Sequence, residues 1–188
     1  MILAFDTAGP HCAAALLDGD RPASERLEPM VRGQAERLLP MIEEMLAQAG
    51  IDWRGLSAIG VGTGPGNFTG IRIGVSAARG LALARGIPAV GVTTTDALLR
   101  DAPPGAWAAV PAPRGQAFLA RSGEAPVLRA DEDIPGGAIR PSPGANIAVA
   151  IARITAARLA SGTAQPRPAP TYARAPDAAP ARPAPPPG

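Results

Sequence analysis

Residues 57–74 read Ser57-Ala-Ile-Gly-Val-Gly62-Thr-Gly-Pro-Gly-Asn-Phe68-Thr-Gly-Ile-Arg72-Ile-Gly74. The first six residues have the pattern of a buried strand, the glycine-rich run turns the chain, and helical spacing begins near Thr69. The helix extends over residues 69–85, Gly86 ends it, and Ile87-Pro88 leads into a strand over residues 89–92. Strand, loop, helix and strand in this order make one βαβ unit, hence a parallel pair with a right-handed crossover. The class is therefore α/β.

Upstream, the apolar runs 2–5 and 12–17 are separated by Asp6-Thr-Ala-Gly-Pro10 and stopped by Asp18-Gly-Asp20, the pattern of a β-hairpin. Residues 21–27 suit a third, edge strand, since Pro22 lies near its start. Over residues 34–49, Leu38, Ile42, Met45, Leu46 and Ala49 form a helical stripe that Gly50 closes. Pro40 must kink that helix or mark where its regular part begins. Downstream, Thr94 or Thr95 can cap a short helix through Arg100. Residues 107–110, 116–121 and 127–128 read as strands of a smaller antiparallel lobe, and 131–143 as loop. Residues 146–160 read as a helix with Ile147, Ile151, Ile154 and Ala157 in register. Residues 163–188 hold nine prolines and eight alanines in 26 positions, too few large apolar groups to offset chain entropy, so most of this tail should be extended or disordered. The expected division is a first lobe over 1–101, a reduced second lobe over 102–162 and the tail.

Composition removes whole classes of chemistry. One cysteine, Cys12, cannot form an internal disulfide, and with the single His11 it cannot supply the ligands of a zinc site. All 18 basic residues are arginine, so lysine-dependent P-loops, Schiff bases and general bases are ruled out. A net charge of +2 does not imply tight unaided binding to nucleic acid. The start lacks a basic targeting region and the apolar runs are too short to span a membrane, so a soluble, cytoplasmic protein is expected.

Two motifs could carry a site. The glycine-rich turn opens a helix, where phosphates often bind, yet its spacing fails the dinucleotide fingerprint in every frame. A tight turn that lets the helix pack closely on the sheet explains the same glycines. Asp6-Thr7 ends the first strand, which suits either a metal-associated acid or a turn cap. His11 shows no acid partner and points away from Cys12, so no nucleophile and base pair is evident. In the 69–85 helix, polar Arg72, Ser76 and Arg79 form one narrow stripe and apolar residues surround the rest, so burial on more than one side is expected.

At these residues the chain resembles the TsaB (YeaZ) family, the dimerisation subunit of the bacterial complex that makes N6-threonylcarbamoyladenosine in tRNA. The matching features are Ile2-Leu-Ala-Phe-Asp6-Thr7-Ala8, Leu38-Leu-Pro-Met-Ile42, Gly64-Pro-Gly-Asn-Phe-Thr-Gly-Ile-Arg72-Ile-Gly74, Gly80-Leu-Ala-Leu and Gly91-Val-Thr-Thr. Fainter matches are Arg114-Gly-Gln116 and the closing Pro170-Thr-Tyr-Ala-Arg174. Gln34 stands where the family often has His, Pro111-Ala-Pro-Arg114 replaces its usual Asp-Ala-Arg-Arg, and the second lobe is shortened between Asp131 and Asn146.

The resemblance implies an actin-like, ribonuclease-H-like (ASKHA) fold with a mixed sheet. It implies an incomplete nucleotide or phosphate site at Asp6, Thr7, Gly64, Gly66, Thr69 and Gly70, with no catalytic or metal-binding residue. It also implies a non-catalytic partner of the related, TsaD-like catalytic transferase, with a small TsaE-like ATPase subunit docking on the pair. No cofactor is expected for this chain; ATP and a divalent metal belong to the partner subunits. Binding of tRNA is expected only through the complex, and a homodimer is the alternative assembly when the partner is absent. The partner face is expected on the 34–49 and 69–85 helices, with Leu38, Ile42, Met45, Ile71, Val75, Ala78 and Ala82 outward and Arg72 and Arg79 at the rim. The competing reading is an ATP-dependent phosphotransferase or carbamoyl-type transferase using Asp6 and the 64–70 loop.

Overall fold

The computed structural model describes residues 1–172. Strands β1 (Ile2–Asp6), β2 (His11–Asp18), β3 (Arg21–Pro29), β4 (Ala58–Gly62) and β5 (Ala89–Val92) form one sheet in the order β3-β2-β1-β4-β5. β1, β4 and β5 are parallel, and β2 and β3 are antiparallel additions. Alternation along the strands sends Leu3, Phe5, Ile59 and Val61 to one face, where helices α1 (Gln34–Gln48) and α2 (Phe68–Arg85) cover them. Ala4, Leu17, Val90 and Val92 face the other side, against Ile151 and Ala152 of α4 (Ile147–Ala160).

Each helix start has a local cause. Asn67 accepts from Gly70 N at 3.0 Å to cap α2, and Asn146 accepts from Ala148 N at 3.1 Å to cap α4. Asn146 Nδ2 also donates to Ala14 O and Arg26 O, which fastens α4 to β2 and β3. α3 (Thr94–Leu99) is capped by Thr93, not by Thr94 or Thr95; both of those are buried, and the Thr93 hydroxyl takes Asp96 N at 3.0 Å. α1 runs through Pro40 as one continuous helix.

β6 (Ala108–Ala112), β7 (Gln116–Ala120) and β8 (Val127–Ala130) make the small antiparallel sheet. The expected second lobe over 102–162 is corrected in one respect: α4 packs on the large sheet and belongs to the first lobe. Ile151 of the expected stripe is fully buried and Ile147 and Ile154 pack beside it, while Ala157 is exposed; Ala148, Ala152 and Thr155 complete the buried face, where Gly60 and the alanines of β1 and β2 let the helix approach the sheet closely. The tail, expected to be mostly extended or disordered, has no regular secondary structure over 163–172, but residues 168–172 of it lie against the first lobe. Pro168 is buried beside Gly91, and Thr171 N donates to Thr63 O at 2.8 Å. Residues 173–188 lie outside the described residues.

β3 is half exposed and is held to α1 by an ion-pair network. Arg37 donates to both oxygens of Glu28 at 2.7 Å and to Glu44 at 2.6 and 2.9 Å. These hydrogen bonds hold the Glu28 and Glu44 carboxyls below the usual carboxylate range. A carboxylate lowered in the folded state stabilises the fold above its unfolded pKa and loses that contribution as pH falls through the folded value. Arg37→Leu should therefore lower the melting temperature at neutral pH by about 1–3 °C, a gap that closes in acid below the carboxylate range. A gap that persists in acid would assign the loss to packing instead.

Candidate functional site

The two sequence motifs meet at the carboxyl ends of β1 and β4. Asp6, one residue past the last β1–β4 pair Phe5–Val61, lies over Gly62, and its carboxylate is buried. Oδ2 accepts from Ala8 N at 3.1 Å and lies 2.8 Å from His11 Nε2. Oδ1 is buried without a hydrogen-bond partner, over the Cα of Gly62, where any side chain would overlap it. The expectation that His11 lacks an acid partner is thus overturned. Asp6 is opposite Ala13 across the hairpin, and His11 stands two residues from Ala13 on the same face, so the pair is a diagonal cross-strand contact. Cys12 points the other way into the core, and burial pushes its thiol up to about 11, which leaves it without nucleophilic character at neutral pH.

The glycine-rich loop packs backbone on backbone against the β1–β2 turn. Asn67 N donates to Ala8 O at 2.7 Å, and Thr7 Oγ1 donates to Gly70 O at 2.6 Å. A Cβ at Gly66 would overlap Ala8 O, and one at Gly70 would overlap Thr7 O. Gly64 adopts φ of 87°, a conformation that favours glycine, and its carbonyl accepts from Thr94 N at 2.8 Å. Thr69 is exposed on the first turn of α2. Asp6, Thr7, Gly64, Gly66 and Gly70 are therefore brought together, but the space their small side chains leave is filled by the chain itself. The Asn67 amide already bonds to Ala8, and the Gly70 amide bonds to the Asn67 cap. The arrangement does not fit a bound ATP phosphate with its metal, although such a group is implied by the actin-like fold. Among the described residues no cluster of three His, Cys, Asp or Glu side chains is placed to hold a metal ion.

The expected partner face is corrected. Leu38, Ile42, Met45, Ile71, Val75, Ala78 and Ala82 all lie in the core beneath α1 and α2, and only Arg72 and Arg79 are exposed. The stripe chosen from spacing is the sheet-facing stripe, because the largest aliphatics of each helix follow its core face. Among the large apolar residues, the helices turn outward Leu39, 42% exposed, and Leu83, 84% exposed, beside exposed Glu36, Glu43 and Glu44 on α1 and Ser76, Gly80 and Ala84 between the arginines of α2. Ile73, Ala77 and Leu81 are half buried along one border of α2. Phe68 and Tyr172, exposed and stacked together, form a contact that spacing alone does not reveal, since they are more than a hundred residues apart in sequence.

A mixed sheet in the order β3-β2-β1-β4-β5 with helices on both faces defines an actin-like protein. Residues 28–139 match the family model described as TsaD: tRNA N6-adenosine threonylcarbamoyltransferase. The tRNA threonylcarbamoyladenosine biosynthesis protein TsaB of Escherichia coli is 40% identical over 124 residues, covering 65% of this chain and 52% of that protein. The protein of the same name from Haemophilus influenzae is 36% identical over 102 residues, covering 54% and 42%. YeaZ from Pseudomonas aeruginosa superposes with a TM-score of 0.73 at 24% identity, covering 91% of this chain and 98% of that one. A second solved structure, described as similar to peptidase YeaZ from P. aeruginosa, gives 0.70 at 26% identity, covering 92% and 99%. The chain belongs to the TsaB/YeaZ family, within the wider group that the TsaD model describes. It spans about half the length of the curated relatives it matches.

The packing distinguishes two glycines of α2. Gly70→Ala drives a methyl into the Thr7 carbonyl and should destabilise the fold by about 3 kcal/mol. Gly80 is exposed, and a methyl added there would have nothing within 4 Å, so Gly80→Ala should stabilise the helix by about 0.5–1 kcal/mol. Urea midpoints at constant slope would check both signs.

Proposed function

We propose that this chain is a non-catalytic subunit of the machinery for tRNA threonylcarbamoyladenosine biosynthesis, binding and stabilising a TsaD-like catalytic transferase. The names of its curated relatives supply the pathway. The observation that carries the non-catalytic reading is the loop contact itself: Thr7 and Ala8 occupy the space beside Gly66 and Gly70 that a phosphate would need. Cys12 faces the core, and the Thr7 hydroxyl is spent on Gly70 O, so Asp6–His11 has neither group as a nucleophile, which disfavours peptidase chemistry. In this reading the chain needs no cofactor, a small ATPase subunit docks on the assembled pair, and the reaction occurs on the partner. A homodimer through the same helices is the state adopted without that partner.

The partner face is the outward layer of α1 and α2 around Leu39, Leu83 and the half-buried Ile73, Ala77 and Leu81. Exposed leucines on adjacent helices, beside small residues that let another helix approach, favour a helical partner. Leu83→Glu combined with Leu39→Glu should leave the isolated chain folded and weaken association with the catalytic subunit at least tenfold, with modification of tRNA falling in parallel. Val75→Glu, by contrast, places a charge in the chain's own core and should unfold it. Normal association of the double leucine variant, measured by complex mass and by titration, would remove this face from consideration.

A transferase reading draws on one observation, the unpartnered Asp6 Oδ1. It requires the isolated chain to bind ATP at micromolar levels and turn it over. In the non-catalytic reading, Asp6→Asn leaves tRNA modification by the reconstituted complex within about threefold of normal, whereas loss of a catalytic group costs several hundredfold or more.

A further inference from the structure

Of the six aromatic residues in the chain, Phe68 and Tyr172 are each 45% exposed, and they stand together. Their ring centroids are 5.2 Å apart with the planes tilted by 31°. The Arg72 guanidinium lies 4.0 Å from the Phe68 centroid and 6.0 Å from that of Tyr172, and Arg72 Nε donates to Tyr172 Oη at 3.0 Å. Tyr172 is carried there by the 163–172 segment, pinned at Thr171 N to Thr63 O and by the Thr63 and Thr171 hydroxyls 3.1 Å apart. The cluster is therefore built before any ligand arrives.

Its chemistry is narrow. The α2 sequence contains Arg72, Arg79 and Arg85 and no acidic residue, and among the described residues no carboxylate pairs with Arg72 or Arg79. At 100° per residue, Phe68, Arg72 and Arg79 share one border of the exposed face, whereas Ile73, Ala77 and Leu81 share the opposite border. The cluster thus lies on the side of the 163–172 segment and β5, at the start of α2; Leu83 of the partner face shares that border one turn beyond Arg79, but stands about 16 Å along the helix from Arg72. Its helical neighbours Thr69 and Ser76 are small and polar, unlike the aliphatic ring that keeps water from a protein hot spot. Half-exposed rings beside guanidinium groups that no carboxylate neutralises instead match the platforms on which unpaired bases stack while arginines take the phosphates.

We propose that Phe68, Arg72 and Tyr172 form a stacking platform for an unpaired RNA base, with Arg72 and Arg79 taking the adjoining phosphates. The choice of RNA rests on the tRNA-pathway reading above; the geometry of the platform does not. The test is fluorescence anisotropy of the full chain with a labelled single-stranded oligoribonucleotide across a salt series. Wild type should bind saturably at low salt. Phe68→Ala combined with Tyr172→Ala should weaken binding by about tenfold to a hundredfold with the chain still folded, since both rings are half exposed. Tyr172→Phe keeps the ring and should stay within about threefold of wild type. Arg72→Gln should make the logarithmic salt slope shallower by about 0.7, the share of one phosphate contact to a single strand. Absence of saturable binding by wild type, or a double alanine variant that binds RNA normally while losing association with the catalytic subunit, would overturn the platform. Complex formation by wild type, measured in parallel by mass, separates failure of the platform from failure of the partner reading.

Discussion

The contact on which the rest depends is that of the Thr7-Ala8 backbone with the first turn of α2. Asn67 N on Ala8 O at 2.7 Å and Thr7 Oγ1 on Gly70 O at 2.6 Å bring two backbones to a separation that only glycine at 66 and 70 permits. That approach presses α2 onto β1 and β4, which in turn seats Ile71, Val75 and Ala78 in the core with Phe5 and Val61. It also fixes where the helix starts, and therefore which residues of α2 face water. The same glycines that would give a phosphate access to backbone amides here give that space to the chain itself.

Much of the fold is legible in the sequence because its signals are local. The hairpin, the βαβ unit and the three-stranded sheet follow from apolar runs separated by Gly, Pro and Asp, and their boundaries fall within about two residues of the observed strands. α1 and α2 are equally clear from periodicity. Their phase is not: spacing identifies an apolar stripe but does not say whether it faces the sheet or a partner. In α2, apolar residues occupy most of the circumference, so the side covered by β4 and β5 becomes evident only when the strand order is known.

The contacts that sequence conceals are those between distant segments. Asp6 and His11 meet because hairpin register places them diagonally on one face, a relation that depends on where the turn closes. α4 reads as part of the second lobe by position, yet Gly60, Ala4, Ala13 and Ala15 create a shallow floor that accepts Ile151, Ala152 and Ala148. Tyr172 sits in a proline-rich stretch whose composition argues against order. One backbone hydrogen bond to Thr63, Pro168 buried beside Gly91 and the ring contacts with Phe68 and Arg72 are nevertheless enough to hold it, because proline has little conformational freedom to lose.

These features connect loss of one kind of site to retention of another. A loop packed backbone on backbone against the β1–β2 turn leaves no room for a phosphate and ties the first turn of α2 to the end of β1. A rigid helix presents its outward residues in constant geometry, which lowers the ordering cost when another molecule docks on them. In the proposed reading, sealing the loop closes a phosphate site and holds two surfaces in place at once: the aliphatic face proposed for the catalytic partner, and the arginine and aromatic border proposed for RNA. On this account the Gly66 and Gly70 contacts act on binding from beneath the helix, without touching any ligand.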